Sequence, residues 1–314
     1  MNPPAQSAGL AHAELPSRPL HLAIGIFDGV HLGHRSVIEA AVQSARRSGG
    51  VAAVLTFSPH PSVLFRPRDP TPLIMGLETK IALLHGLGVE AVIAEPFTPD
   101  YAKIEAEDFL PHLRRYLPQL AAVYVGENWH FGRGRRGDAA MLIAEGRRLG
   151  INVFSAPRVS FDGEPISSTR IRGLLAAGEM MTANTLLGHT YSATGTVTRG
   201  KQLGRTIGFP TLNLAWSPGL RPRLGVYAAR VIGAKSTTAL PAVANYGMRP
   251  TVEMATEPRL ETHVLGACPY DAGDKITVEL LRFLRPEMKF VGLTELQSQI
   301  GRDVVTARAE FSLP

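Results

Sequence analysis

His31 and His34 stand three residues apart, with Gly33 between them, directly after the run Gly25-Ile26-Phe27-Asp28-Gly29-Val30. Imidazole nitrogens donate hydrogen bonds to phosphate oxygens, and glycine lets the backbone approach a ligand closely. Apolar residues precede this turn, and Val37, Ile38, Ala41, Val42 and Ala45 follow it at helical spacing. A strand that turns sharply into a helix aims backbone N–H groups and the positive end of the helix dipole at one point, which suits an anion. Alone, the motif is equally a strand-to-helix turn carrying two surface histidines.

Three further stretches set polar or aromatic groups at the ends of apolar or helical runs. In Thr56-Phe57-Ser58-Pro59-His60-Pro61 the prolines stop a strand and can hold Phe57 and His60 toward a shared site. Gly126-Glu127-Asn128-Trp129-His130-Phe131-Gly132 places aromatic rings beside an amide, a combination able to stack on and hydrogen-bond a planar heterocycle. Ile166-Ser167-Ser168-Thr169-Arg170-Ile171-Arg172 combines a helix-capping serine with two arginines, which together bind phosphates well. Farther on, Gly195, Gly200, Lys201, Gly204 and Gly208 lead into Phe209-Pro210-Thr211-Leu212-Asn213. A glycine-rich hairpin can wrap a polyphosphate with its amides. Thr211 and Asn213 lie two apart, so a strand turns both oxygens to one face, where they suit a Mg2+–nucleotide complex. Each stretch also has an ordinary reading as loop packing, a capped helix with solvated arginines, or a polar-faced hairpin.

These residues need elements to position them. Apolar runs at 20–26, 51–57, 89–95, 121–125 and 152–157 predict strands, and helix-period segments at 34–47, 77–87, 106–117 and 138–149 lie between them. This alternation predicts an α/β, doubly wound parallel sheet of Rossmann-like type, whose ligands bind beyond the carboxyl ends of the strands. Past Gly188 the strand-like runs 192–198, 212–215, 226–232, 239–244, 260–265 and 275–284 follow one another without long helices. They predict a small, all-β antiparallel barrel closed by one terminal helix over 294–310, with Leu296, Ile300, Val304 and Ala307 as its apolar stripe. The expected organisation is a disordered tail over 1–17, a first domain over 18–188 and a second over 189–314.

The 314 residues suffice for two cores, and a formal net charge of +6 suits an anionic ligand. Basic residues are dispersed, Arg133, Arg135 and Arg136 forming the densest short cluster, so nucleotide phosphates are expected rather than nucleic acid. A single cysteine, Cys268, allows no intrachain disulfide. No apolar stretch reaches the length of a membrane helix, and a cytoplasmic protein without membrane attachment is expected.

The string Phe27-Asp28-Gly29-Val30-His31-Leu32-Gly33-His34, followed in order by residues 56–61, 126–132 and 166–172, resembles the adenylyltransferase module of bacterial bifunctional riboflavin kinase/FAD synthetases. The resemblance implies a nucleotidyltransferase fold over about 18–188, with ATP over the turn formed by Gly25, Phe27, Asp28, Gly29, His31, Gly33 and His34. It implies a second phosphate-binding segment in Ser167, Ser168, Thr169, Arg170 and Arg172. Phe57, Pro59, His60, Pro61 and Asn128 would line the flavin and nucleotide pockets, and the FMN phosphate would attack the α-phosphorus of ATP.

Residues 189–314 resemble the riboflavin kinase module of the same family, most specifically through Gly208-Phe209-Pro210-Thr211-Leu212-Asn213. The stretches Asn245-Tyr246-Gly247-Met248-Arg249-Pro250-Thr251, Leu260-Glu261-Thr262-His263 and Leu284-Arg285-Pro286-Glu287 follow in order. Tyr246 stands where the family usually has isoleucine, and residues 266–273 replace an acidic, aromatic run. The resemblance implies that Gly195, Gly200, Lys201, Gly204, Gly208, Pro210, Thr211 and Asn213 hold ATP, with Thr211 and Asn213 on Mg2+. Glu261 would take the proton of the ribityl hydroxyl, and Arg285 and Glu287 would contact flavin. The expected function is therefore phosphorylation of riboflavin to FMN and adenylylation of FMN to FAD. An FAD synthetase with an impaired kinase half, or a non-catalytic flavin- or nucleotide-binding regulator, are the alternatives.

Overall fold

The computed structural model describes residues 5–200, 203–248 and 258–312, so Lys201 and residues 249–251 lie outside the described residues. The chain divides into two compact units between Ser168 and Thr169.

In the first unit the strands are β1 (Ala5–Ser7), β2 (Leu20–Ile24), β3 (Val51–Phe57), β4 (Ala91–Glu95), β5 (Leu120–Gly126) and β6 (Asn152–Ala156). They form one parallel sheet in the order β1-β4-β3-β2-β5-β6. Its helices are α1 (Leu32–Ser48), α2 (Pro61–Phe65), α3 (Leu77–Gly86), α4 (Phe109–Tyr116) and α5 (Ala139–Leu149). Every residue of β2 is buried, as a central parallel strand covered on both faces requires. Leu20, Leu22 and Ile24 pack into one core with Phe109, Leu110, Leu113 and Leu142. Ala23 packs into the other with Val37, Ile38, Ala41, Ile81 and Leu84. Helices thus cover both faces, which is the doubly wound arrangement. A short hairpin, β7 (Ser160–Phe161) and β8 (Glu164–Pro165), turns through Asp162 and Gly163, both at positive φ.

The described part of the expected tail is structured. β1 pairs in parallel with β4, Leu10 is 3% exposed, and the Leu10 N–H donates to Glu95 Oε2 at 2.6 Å. An open sheet edge offers unpaired backbone groups, so a short polar segment can join it without any apolar pattern.

The second unit begins with α6 (Ser168–Ala177, from Thr169 onward) and α7 (Met180–Leu187), ahead of the change in sequence pattern near Gly188. Asn184 ties α7 to the sheet, donating to the Leu280 carbonyl at 3.0 Å and accepting the Tyr191 N–H at 2.8 Å. Strands β9 (Ser192–Thr198), β10 (Leu212–Leu214), β11 (Gly225–Gly233), β12 (Leu240–Gly247), β13 (Arg259–Val264) and β14 (Lys275–Arg285) close an antiparallel barrel, with the turn α8 (Leu203–Thr206) between β9 and β10. Tyr227 and Tyr246 are fully buried. The terminal helix α9 (Leu293–Glu310) sets Val304 and Ala307 against Val226, Ala228 and Val243.

Candidate functional site

The order of the first sheet reverses at β2, between β3 and β5, and ligands of open α/β sheets bind at the carboxyl end of such a point. There the chain leaves β2 through a constrained turn. Phe27 (φ 49°), Gly29 (φ 89°) and Val30 (φ 41°) all have positive φ, a strained state for a β-branched valine. The Phe27 ring lies 2.9 Å from where a Gly25 Cβ would stand, so that position needs glycine. His31 caps α1, its Nδ1 accepting the His34 N–H at 3.2 Å, and the two imidazoles stack with centroids 3.5 Å apart. A Cβ on Gly33 would press to 3.2 Å from the His31 ring. The paired rings therefore sit at the N-terminus of the 17-residue helix α1, an anion-seeking position.

Buried polar groups hold this turn from beneath. The Ile26 carbonyl accepts from Lys80 Nζ at 2.8 Å and from Thr56 Oγ1 at 2.9 Å. Both carboxylate oxygens of Asp28 accept the Ile74 N–H, at 3.0 and 3.2 Å, and Ser168 Oγ donates to the Asp28 carbonyl at 2.9 Å. Lys80 is 4% exposed, and burial lowers its pKa to about 8 against the opposing pull of Asp28. Sequence reasoning missed Lys80. A signal existed: Leu77, Lys80, Ile81 and Leu84 share one helical stripe, so the charge lies on the face turned to the core.

The remaining predicted residues divide. Phe57 meets Phe97 and Tyr101, each with centroids 5.5 Å away, and Phe65 adds to the cluster 5.7 Å from Phe97. His60 caps α2 by accepting the Ser62 N–H at 3.0 Å, between the cis Ser58–Pro59 bond and Pro61. Asn128 is exposed, and the neighbouring rings pack on one another. Trp129 lies on Phe131 at 4.7 Å and both meet Phe109, because the apolar face of α4 lies beside them. Arg133 and Arg136 pair with Glu105, and Arg136 also with Glu107. The Ser168 hydroxyl reaches the Asp28 carbonyl instead of capping its helix, while Thr169, Arg170 and Arg172 continue α6 in the second unit.

In the barrel, the strand register lines up Thr198, Asn213, Glu261 and Asn245 as successive partners across β9, β10, β13 and β12. Directly paired residues turn their side chains to one face. Burial alternates along β13, with Leu260, Thr262 and Val264 inward, so Glu261 and His263 face out. Thr211 precedes β10 by one residue. The connection before it is a helical turn rather than a simple hairpin, and it closes on this row: a Cβ at Gly200 would lie 2.4 Å from Asn213 Nδ2, and one at Gly204 3.5 Å from Thr211 Oγ1. Gly208 holds φ 87°, and the Pro210 carbonyl lies 2.8 Å from His263 Nδ1, a partner the sequence did not suggest. Gly195 answers a packing constraint, since its Cβ would fall 2.3 Å from the Ala215 carbonyl. Arg285 is engaged with Asp303 on α9 through two bonds of 2.8 and 2.7 Å. Glu287 lies against Gly247 and accepts the Met248 N–H at 3.3 Å. Among the described residues no group of three or more His, Cys, Asp or Glu is placed to hold a metal, and no helix is long and apolar enough to cross a membrane.

Comparison with known proteins follows the same division. A family model described as FAD synthetase matches residues 14–170, and one described as riboflavin kinase matches 187–311. The chain is 36% identical over 301 residues to the bifunctional riboflavin kinase/FMN adenylyltransferase of Escherichia coli (strain K12), covering 96% of each chain. It is 34% identical to the protein of the same description from Bacillus subtilis (strain 168), covering 93% of this chain and 92% of that one. A crystal structure described as a macrolide-efflux protein from Streptococcus pneumoniae superposes with a TM-score of 0.85 at 26% identity, covering 96% of this chain and 98% of that chain.

Proposed function

We propose a residue-level mechanism for this chain, which belongs to the bifunctional riboflavin kinase/FMN adenylyltransferase family. It is a transferase that converts riboflavin to FMN with one ATP and FMN to FAD with another, and we assign it to the cytoplasm, where ATP is at hand.

In the barrel, Glu261 accepts the proton of the ribityl 5′-hydroxyl as that oxygen attacks the γ-phosphorus of ATP and ADP departs. Thr211 and Asn213 present neutral oxygens on one face, and Gly200, closing on Asn213, leaves room for backbone but not for a side chain. That donor set fits a hard cation whose remaining ligands are phosphate oxygens and water. Mg2+ bound there would neutralise charge on the transferred phosphoryl group. Arg285 and Glu287 flank the flavin side, Arg285 in an orientation fixed by Asp303.

In the first unit the phosphate of FMN attacks the α-phosphorus of a second ATP and pyrophosphate leaves. No protein nucleophile is needed, because such transfers depend on in-line positioning and on charge stabilisation. The stacked His31 and His34 and the N-terminus of α1 receive the phosphates. The sequence pattern adds Ser167 to that role. Phe57, Pro59, Pro61 and Asn128 are assigned to the planar ring systems.

One observation carries this reading: two phosphate-suited constellations occur in separate compact units, the histidine turn in one and the Asn213–Glu261 row in the other. The test incubates the protein with riboflavin, ATP and Mg2+ and resolves the flavins. Wild type yields FMN and FAD. Glu261→Gln forms no FMN yet still makes FAD from supplied FMN, and a double replacement of His31 and His34 by alanine accumulates FMN. Any other partition refutes the assignment of steps to units.

A further inference from the structure

We propose that Lys80 is the positioning residue of the adenylyl site, holding the Ile26–Phe27 peptide in the conformation that presents His34. The inference rests on the reading of the first unit as the adenylylating half.

Lys80 does not touch the space above the turn. Its ammonium is buried under it and donates to the Ile26 carbonyl at 2.8 Å, with Thr56 Oγ1 3.4 Å away. That carbonyl belongs to the peptide leading into Phe27, the first of the positive-φ residues. Fixing the carbonyl fixes the plane of the peptide, and with it the direction in which Phe27 leaves. The Phe27 ring then meets His34 edge-on at 5.3 Å, and His34 stacks on His31. A continuous line of contacts therefore runs from Lys80 to the imidazole pair. Strained backbone persists only where its surroundings over-determine it.

Stability of the sheet does not explain a lysine here. The position lies on the core-facing stripe of α3, where an apolar side chain of similar length avoids the cost of burying a charge. Burial works against the charged form of this amine. Lys80 supplies a donor that reaches the Ile26 carbonyl from below, and a hydrocarbon side chain cannot supply one. Thr56 reaches the same oxygen from the neighbouring strand, so its loss alone leaves the lysine in place.

The bifunctional chain provides its own control. Full-length wild type, Lys80→Met and Lys80→Gln are assayed for FAD formation from FMN across ATP concentrations, and for FMN formation from riboflavin. Loss of a hydrogen bond from a charged donor predicts that Met raises the ATP KM of the adenylyl step about tenfold or more. The kinase constants stay within roughly twofold, because that site lies in the other unit. Gln, whose amide can still donate to the carbonyl, recovers part of the loss. An unchanged adenylyl KM in Lys80→Met overturns the inference. So does a Gln variant no better than Met, and so does parallel loss of both activities, which would make Lys80 a general folding residue. Wild type that forms FMN but no FAD would overturn the reading beneath it, a result seen before any variant is compared.

Discussion

Replacing Asp303 by alanine is expected to loosen the end of the barrel that carries Arg285. The guanidinium of Arg285 makes two bonds to Asp303, of 2.8 and 2.7 Å, and the two side chains are 17% and 6% exposed. Gln299 adds a third bond to the same carboxylate at 2.9 Å. Removing one partner of a buried, bidentate pair leaves an uncompensated charge and costs about 3–5 kcal/mol. Arg285 also donates to the Pro286 carbonyl and keeps some contact with water, which argues for the lower end, about 3 kcal/mol. Asp303→Asn, which keeps the shape and one acceptor, should lose roughly half of that. The chain's two tryptophans make the assay selective, since Trp129 lies in the first unit and Trp216 in the second, 5.3 Å from Tyr246. In a Trp129→Phe background, urea unfolding followed by fluorescence reports the barrel alone. FMN formation should fall with the transition midpoint while FAD formation from FMN holds. A loss below about 1 kcal/mol, the range of an exposed pair, would refute the argument. An equal loss in the adenylyl step would refute it too.

Two further outcomes follow from buried polar groups. Unfolded, Lys80 titrates near 10.5, and folded near 8, so between those values the unfolded chain binds more protons and stability of the first unit rises with pH. Wild type should therefore lag Lys80→Met by on the order of 3 kcal/mol at pH 7, before the lost hydrogen bond is counted. The gap should move in favour of wild type from pH 8 to 10 in paired melts; a gap independent of pH would sink the idea. In the barrel, Thr262 is fully buried and its hydroxyl has no partner among the described residues. Thr262→Val should raise the barrel's unfolding free energy by about 1 kcal/mol, and a measured loss of that size would show the hydroxyl to be satisfied.

Strands that are buried on both sides announce themselves as unbroken apolar runs, and β2, β3 and β5 appear within two residues of where the sequence places them. Where backbone rather than side chains does the pairing, the sequence is silent, and β1 is the example. Asn184 shows a second limit. It reads as one polar residue in a short helix, and nothing local reveals that its amide bridges the Tyr191 N–H and the Leu280 carbonyl. At the sites, residue types were legible but their partners were not. Trp129 has the chemistry to stack on a heterocycle, and whether it faces a ligand or Phe109 depends on how α4 packs. Lys80 inverted the usual expectation, being a charge on a core stripe that a distant carbonyl requires.

The glycines of the second unit show why spacing alone cannot separate phosphate binding from packing. Gly195, Gly200, Gly204 and Gly208 read in sequence as one loop able to wrap a polyphosphate. In the fold each answers a different constraint. A side chain at 195 would strike the Ala215 carbonyl, a contact internal to the barrel wall, and one at 204 would strike the Phe209 carbonyl within its own turn. Gly208 meets open space but holds a left-handed φ. Only at 200 does the missing side chain make room for a residue assigned to the nucleotide, since the amide of Asn213 fills the place where a Cβ would be. The glycine pattern is thus mainly the geometry needed to fold the connection back onto β10. The phosphate-facing chemistry we propose for this unit rests on a narrower set, the Thr211–Asn213 pair and the strand partner Glu261, whose register no glycine spacing could have disclosed.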